Sequence, residues 1–136
     1  MPLRKETLGT SRQFEDGTVG FLGPIDHTIS IPVDLTQFTN KEIDADGYLK
    51  PYIPLTRAGE LLATGDFVYG VTVERRKVAD DNAAGSISAL GTEDIAIALI
   101  CCVVRDIAED VLDRVYTADE LAGFDEAGSK CVLVDV

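Results

Sequence analysis

The sequence has no tryptophan and a single histidine, His27, among its 136 residues. A nucleophile activated by histidine would have to use this one residue, and a metal site with several histidine ligands is excluded. The phosphate-binding motifs GxxxxGK[ST] and GxGxxG and the nucleophile motif GxSxG are also absent. This inventory predicts a protein that is not an enzyme and that has no catalytic residues, no cofactor and no metal ligands.

Cysteines and long apolar segments are scarce as well. The three cysteines are Cys101, Cys102 and Cys131, and an odd number with two adjacent is not the pattern of a disulfide-bonded secreted domain. We expect them to be small buried side chains without a redox role. The first ten residues lack the apolar core of a signal peptide, and the longest apolar run, residues 95–104, is too short to cross a bilayer. The sequence therefore predicts a protein made in the cytoplasm, with no membrane partner.

Basic residues are outnumbered two to one. Lys and Arg together number 12 against 24 Asp and Glu, which gives a net charge of −12. A charge of this size repels phosphate groups, so it argues against nucleic-acid binding and against adhesion to anionic lipid. The one basic cluster, residues 75–77, is expected to be a solvated turn or to form salt bridges within the chain; the alternative is a contact with an acidic partner surface.

Composition divides the chain into two parts. Residues 1–27 contain four glycines and two prolines and follow no regular period, whereas apolar residues make up 46% of the whole chain. We predict that residues 1–27 form a flexible N-terminal arm and that residues 28–136 form one domain. The arm keeps large side chains that could anchor it to a partner, namely Leu8, Phe14, Val19 and Phe21. The alternative is a frayed terminus that binds nothing.

Alternating patterns predict a β-rich domain. Residues 28–35 alternate apolar and polar side chains, and Pro32 within them cannot donate to a neighbouring strand, which indicates an edge strand. Residues 67–74 predict a second strand. Residues 95–104 are apolar on both faces, so we expect this strand to be covered on both sides, in part by another subunit. Its residues Ile100 and Cys102 are therefore candidates for a subunit interface.

The remaining signals predict turns and short helices. Residues 44–47, with the sequence DADG, mark a turn, and residues 80–94 are expected to form an exposed loop. Thr117 and Glu120 have the spacing of a capping box, which predicts a short helix over residues 118–122, with a weaker one over residues 107–114. Residues 131–134 predict a last strand. The fold class expected is a small, β-rich α+β domain with mixed strands.

The order of these motifs resembles a known family. Residues 46–55 read DGYLKPYIPL, residues 65–71 read GDFVYGV, and the apolar strand, an EDVL segment at 109–112, a helix signal and a terminal strand follow. Residues 28–136 thereby resemble the lambda-type head decoration proteins of tailed bacteriophages. This sequence departs from the family pattern at Tyr52 and Ile53, where a glycine and a small residue are usual. We interpret these two bulky residues as a further part of a subunit interface.

The resemblance implies a structural function. Proteins of that family sit as trimers on the outside of the expanded capsid and stabilise it against the pressure of packaged DNA. It implies two partners, the major capsid protein and other copies of this chain, with the arm adding to strands of the capsid protein. The protein would be made in the host cytoplasm and would end on the outer surface of the virion.

Two other functions stay open at the sequence level. The chain could be a different virion component, such as a tail or head-fibre module, since these share an acidic, oligomerising β domain. It could also be a small ligand-binding β-barrel or enzyme. That function would draw on His27, Tyr69 and one of the acidic pairs, such as Asp80 and Asp81.

Overall fold

The structure is a computed structural model that describes residues 20–23 and 25–135. Three of the predicted arm anchors, Leu8, Phe14 and Val19, lie outside the described residues. The described part contains three helices and seven strands, 22% helical and 32% strand, which confirms the predicted β-rich α+β class.

Two of the described strands are long, and the other five have two to four residues. The strands are β1 (Asp26–Asp34), β2 (Tyr48–Leu49), β3 (Pro54–Leu55), β4 (Gly70–Thr72), β5 (Arg76–Lys77), β6 (Thr92–Val104) and β7 (Cys131–Val134). The helices are α1 (Ala84–Ser88), α2 (Arg105–Leu112) and α3 (Ala118–Asp125), and a 3₁₀ turn (Leu35–Gln37) follows β1.

Strand β6 is the centre of the main sheet. Its first part pairs antiparallel with β1, and Ile31 lies opposite Ile95 in this ladder. Across the sheet the order is β1-β6-β4-β3, and β7 pairs in parallel with the last residues of β6. Strands β2 and β5 form a separate two-stranded ribbon. Strand β1 is thus at the edge of the main sheet, as Pro32 predicts.

The two faces of β6 are covered unequally. Side chains of successive strand residues point to opposite faces, so alternate residues report on each face. On one face Ile97, Cys101 and Val103 are buried in the core. On the other face Ala98 is buried, but Ile100 is 40% exposed. The described residues therefore bury the first face more completely than the second.

Both predicted helices are present. Helix α2 starts directly after β6, two residues before the predicted start at 107, and ends where Asp113 adopts a left-handed backbone with φ of 58°. Helix α3 has the predicted capping box, because the Thr117 hydroxyl accepts the Glu120 amide at 3.2 Å and Glu120 accepts the Thr117 amide at 2.9 Å. It continues to Asp125, three residues beyond the predicted end.

Two predicted segments differ from the structure. The strand expected over residues 67–74 is only β4, because the amide of Val68 donates to Gly123 in α3 rather than to a neighbouring strand. The loop expected over residues 80–94 contains α1, and β6 already begins at Thr92.

The boundary of the arm also needs correction. Phe21 forms an isolated bridge with Val103, and the amide of Leu22 donates to the carbonyl of Cys102 at 2.8 Å. The described residues from Gly20 onward therefore belong to the domain. The predicted boundary at residue 27 lies too late, because a few apolar residues in an irregular stretch are enough to continue the edge of β6.

Candidate interaction surfaces

Gly20 and Phe21 form what we call the N-terminal anchor. The amide of Gly20 donates to the hydroxyl oxygen of Tyr52 at 2.7 Å, and the Phe21 ring lies 5.1 Å from the Tyr52 ring. A side chain at position 20 would place its Cβ 2.5 Å from the Tyr52 ring, so the close approach requires glycine. Phe21 is buried in its own domain, which corrects the prediction that it binds a capsid.

Tyr52 and Ile53 are in the core rather than on a subunit interface. Both are fully buried within the single chain. Tyr52 has a positive φ of 69°, and two hydrogen bonds fix its backbone: its amide donates to the Thr72 carbonyl and its carbonyl accepts the Tyr116 hydroxyl, both at 2.8 Å. Burial raises the pKa of the Tyr52 hydroxyl, so it stays neutral. Their bulk fills the core beneath the anchor, and neither side chain has surface to offer a second subunit.

The outer edge of β1 is the first candidate interaction surface. No described strand pairs with this edge. In an antiparallel strand the backbone groups of alternate residues point to opposite edges. Pro32 has no N–H to give to β6, which places it among the outward-facing residues together with Thr28 and Ser30. The edge thus offers the amides of Thr28 and Ser30 beside the exposed side chain of Ile29.

Four residues on the open face of the sheet form the second surface, which we call the apolar patch: Leu22, Ile100, Cys102 and Val132. Val132 lies directly opposite Cys102 in the β6–β7 pair, so both side chains point to the same face. Leu22, Ile100 and Val132 are 54%, 40% and 52% exposed. Large apolar side chains clustered in this way are typical of a surface that contacts another protein.

The apolar patch contains two predicted residues and two that sequence reasoning missed. Ile100 and Cys102 were expected at a subunit interface, and both lie on this open face. Leu22 and Val132 were not singled out. The predicted strand over residues 131–134 was the one available signal for Val132, whereas the position of Leu22 depends on contacts between distant segments.

The basic cluster is paired within the chain. The Arg75 guanidinium lies 2.8 Å from the Asp44 carboxylate and 4.0 Å above the Tyr48 ring, and Arg76 lies 3.3 Å from Glu93. Partial burial would raise the pKa of Asp44, but the hydrogen bond from Arg75 and two backbone amides outweigh it and lower the pKa. These contacts agree with the predicted salt bridges within the chain.

A buried ion pair lies between α2 and α3. Two nitrogens of Arg114 donate to the two Glu120 oxygens at 2.7 and 3.0 Å. Burial alone would lower the pKa of Arg114, but its contact with Glu120 raises it. A cavity of about 420 Å³ lies beside the pair, and Lys41 and Leu61 are among its lining residues. Glu120 pairs with the two terminal nitrogens of Arg114, whereas the buried Nε has no hydrogen-bond partner among the described residues. The pair ties the segment that follows α2 to the first turn of α3.

The residues predicted for the alternative, ligand-binding function do not form one site. His27 is an exposed residue of β1 with φ of 55°, Tyr69 is half-buried, and no hydrogen bond among the described residues joins them. Asp80 and Asp81 are exposed in the loop before α1. A pocket of about 360 Å³ near α1 is lined by uncharged residues, including Thr36 and Ile87. Over residues 20–23 and 25–135, no group of three metal-ligating side chains comes together.

Comparisons of the chain with protein-family models, with curated proteins and with solved structures find no match. Within the described part of the chain, none of the helices is long and apolar enough to span a bilayer.

Proposed function

We propose that this protein is a structural virion component that binds the outside of an expanded phage capsid and stabilises the shell. The resemblance in sequence order suggests this function, and one structural observation carries it. Strand β1, whose outer edge is unpaired, and the Phe21–Val103 bridge, beside which residues 1–19 join the domain, both lie along the central strand β6. Edge strands with free amides bind extended segments of other proteins by adding a strand to their sheet.

The N-terminal anchor makes this arrangement effective. It fixes the point at which residues 1–19 join the body, through the contacts of Gly20 and Phe21 with Tyr52. A fully extended segment of that length reaches at most about 65 Å, at roughly 3.4 Å per residue. Once one copy is bound, this tether raises the local concentration of the segment for a neighbouring capsid protein. The predicted contacts of Leu8, Phe14 and Val19 with the capsid stay part of this proposal.

The apolar patch is, on this proposal, where copies of the chain meet as a trimer. Two copies that each carry a net charge of −12 repel one another. The electrostatic cost of approach is lowest at a surface without charged side chains, and the four patch residues carry none. When the copies meet, the apolar surface of these residues is removed from water, and this burial supplies the favourable free energy of association.

Co-sedimentation with expanded and unexpanded heads of tailed phages tests the proposal. The full chain should bind expanded heads saturably. A variant lacking residues 1–19, and Ser30→Pro, which removes one edge amide, should bind at least tenfold more weakly. Ser30→Ala removes the same hydroxyl, keeps the amide and should bind normally. Melting curves must show that all variants fold.

Either of two results would overturn the proposal. Full-chain protein that fails to bind heads of its own phage removes the capsid function and favours a tail or fibre component. Binding that is unchanged both by the truncation and by Ser30→Pro removes the mechanism, because neither the N-terminal segment nor the edge of β1 would then contact the shell.

A further inference from the structure

Cys101 and Cys131 lie side by side on neighbouring strands. They are direct partners in the parallel pair of β6 and β7. Neighbouring strands lie about 4.8 Å apart, and disulfides join residues whose Cα atoms are roughly 4.4–6.8 Å apart. Paired residues also point to the same face of the sheet, so the two thiols face one another across the strand gap. The backbone thus holds both cysteines at the spacing of a disulfide while both are free thiols.

The surroundings of the two thiols are apolar and closely packed. Both cysteines are buried, and the Cys131 thiol lies 3.5 Å from the carbonyl oxygen of Leu99 and 3.6 Å from that of Ala98. Hydrogen bonding between the thiols, followed by burial, raises the pKa of Cys101. The same hydrogen bond lowers the pKa of Cys131 in spite of its burial. The two thiols therefore form one hydrogen-bonded pair, and access to the oxidant decides which of them reacts first.

We propose that Cys101 and Cys131 are an oxidation site that closes to a disulfide when the protein meets a small disulfide oxidant such as oxidised glutathione. The bond fastens the short strand β7 to the central strand β6. This differs from the expectation that all three cysteines are merely small buried side chains. It rests on the pairing of two strands and does not depend on the capsid-binding proposal.

The reaction proceeds by two thiol–disulfide exchanges. First, Cys131 loses its proton and its sulfur attacks one sulfur of oxidised glutathione, which releases one glutathione thiolate and leaves a mixed disulfide on the protein. Cys101 then loses its proton and attacks the Cys131 sulfur, which releases the second glutathione. The protein loses two electrons and two protons, and oxidised glutathione becomes two reduced molecules.

Strand β7 provides access to the buried thiols. It has only four residues and pairs with β6 alone among the described strands. Short strands that pair along one edge only open locally far more often than a whole domain unfolds. Such opening exposes Cys131 to the oxidant, and closing brings it back to Cys101. Cys102 is adjacent but points to the opposite face, so it cannot replace Cys101 without a rearrangement of β6.

The redox state of the surroundings would then determine whether β7 is bonded covalently to β6. Cytosolic glutathione keeps such pairs reduced, whereas oxidising conditions outside the cell allow disulfides to persist. If the capsid-binding proposal holds, the bond would form after the particle leaves its host. That timing rests on the proposed function, but the bond itself is measured on the purified chain without capsids.

The test uses the reduced full chain incubated with mixtures of oxidised and reduced glutathione, followed by blocking of free thiols and mass spectrometry. Trypsin cleaves after Lys130, so Cys131 begins its own peptide, while Cys101 and Cys102 share the peptide that ends at Arg105. We expect these two peptides to be linked in the wild type and in Cys102→Ser, and not in Cys101→Ala. The linked form should melt roughly 5–15 °C higher than the reduced form.

Three outcomes would overturn the inference. One is a link that persists in Cys101→Ala and disappears in Cys102→Ser, which would show that Cys131 bonds to Cys102 instead of Cys101. Another is that only glutathione adducts or linked dimers form. The third is that Cys102→Ser, which keeps both proposed partners, stays fully reduced at every ratio of oxidised to reduced glutathione. Because Cys102→Ser leaves the buried pair intact, poor folding of Cys101→Ala does not prevent a decision.

Discussion

The amide of Gly20 donates to the hydroxyl oxygen of Tyr52 across 32 residues of sequence, at 2.7 Å and out of contact with water. This bond joins the first described residue of the domain to the residue whose backbone is fixed by Thr72 and Tyr116. It therefore determines where the N-terminal segment leaves the body, and the stability of the anchor depends on it.

Tyr52→Phe should destabilise the domain by about 1–3 kcal/mol. The substitution keeps the ring that packs on Phe21 but leaves the buried Gly20 amide without an acceptor, which costs the desolvation of that group. Urea unfolding followed by circular dichroism measures the change. Tyr69→Phe is the matched control, because Tyr69 is half-buried and should change stability by less than about 0.5 kcal/mol. Equal effects of the two substitutions would contradict this role of the anchor.

Gly20→Ala and Gly85→Ala should change stability in opposite directions. A Cβ at position 20 would lie 2.5 Å from the Tyr52 ring, which cannot move freely in the core, so we expect a loss of roughly 1–3 kcal/mol. At Gly85, within α1, a Cβ meets nothing within 4 Å, and alanine favours the helix by up to about 1 kcal/mol. Melting temperatures of the two variants should shift down and up respectively; a downward shift in both would count against the steric argument.

Removing one partner of the buried ion pair should be far more damaging than removing an exposed one. Glu120→Ala leaves Arg114, whose side chain is only 14% exposed, without its partner and removes half of the capping box of α3. We expect a loss of about 3–5 kcal/mol. Arg76→Ala breaks the exposed pair with Glu93 and should cost less than about 1 kcal/mol. Chemical denaturation measures the loss in free energy of unfolding for both variants, and the loss in Glu120→Ala must be at least twice the loss in Arg76→Ala.

Local patterns predicted the elements that depend on neighbouring residues. Pro32 predicts that β1 lies at an edge, and Thr117 with Glu120 predicts the start of α3. These signals are local, because apolar alternation, a missing amide and a helix cap each depend on a few neighbouring positions. Contacts between distant residues were not accessible in this way. Phe21 and Tyr52 each suggested a surface contact, yet they bury one another, since which segment packs against a bulky residue depends on the whole topology.

The apolar patch, too, could be predicted only in part. Ile100 and Cys102 followed from a strand that is apolar on both faces, and this property belongs to the sequence of β6 alone. Leu22 and Val132 became visible only once the strands flanking β6 were known, because their place depends on pairings with residues that are distant in sequence.

Asp44 should make the domain less stable in acid. Its pKa in the folded protein lies below its ordinary value of 3.8, so the folded state holds the proton less tightly than the unfolded chain does. This stabilising contribution is present above pH 3.8 and is lost as the pH falls through the lowered pKa of the folded state. Asp44→Asn should therefore be less stable than the wild type at pH 7, and the difference should shrink below pH 4.

Urea unfolding of Asp44→Asn and of the wild type from pH 2.5 to pH 7 measures this effect. Protonation in acid also reduces charge repulsion throughout a chain with 24 acidic residues. Both proteins share that effect, so comparing them at each pH cancels it. Asp46→Asn is the control, because its carboxylate is largely exposed and lies 3.4 Å from Arg75. A difference between wild type and Asp44→Asn that is constant over the whole range would contradict the assignment.

Val132→Asp should weaken contact between copies of this chain without unfolding the domain. The side chain is 52% exposed, so an aspartate there stays hydrated in a single copy, but contact with a second copy would bury its charge in the apolar patch. The loss is expected to exceed tenfold in the association constant, equivalent to more than about 1.4 kcal/mol. Val111→Asp is the matched control, since Val111 is 40% exposed on α2, a helix that packs on the core through Ala108 and Leu112, and the substitution adds the same charge.

Sedimentation velocity over a wide range of concentrations measures the association in free solution, and chemical cross-linking of the protein bound to heads measures it on the particle. Both are needed because a chain that is monomeric alone can still meet its neighbours on a shell. If Val132→Asp and Val111→Asp give equal yields of cross-linked trimer on heads, the copies do not meet through Val132. The open face of β6 would then be free for the shell itself, and the same two variants compared for head binding would show whether it contacts the capsid protein.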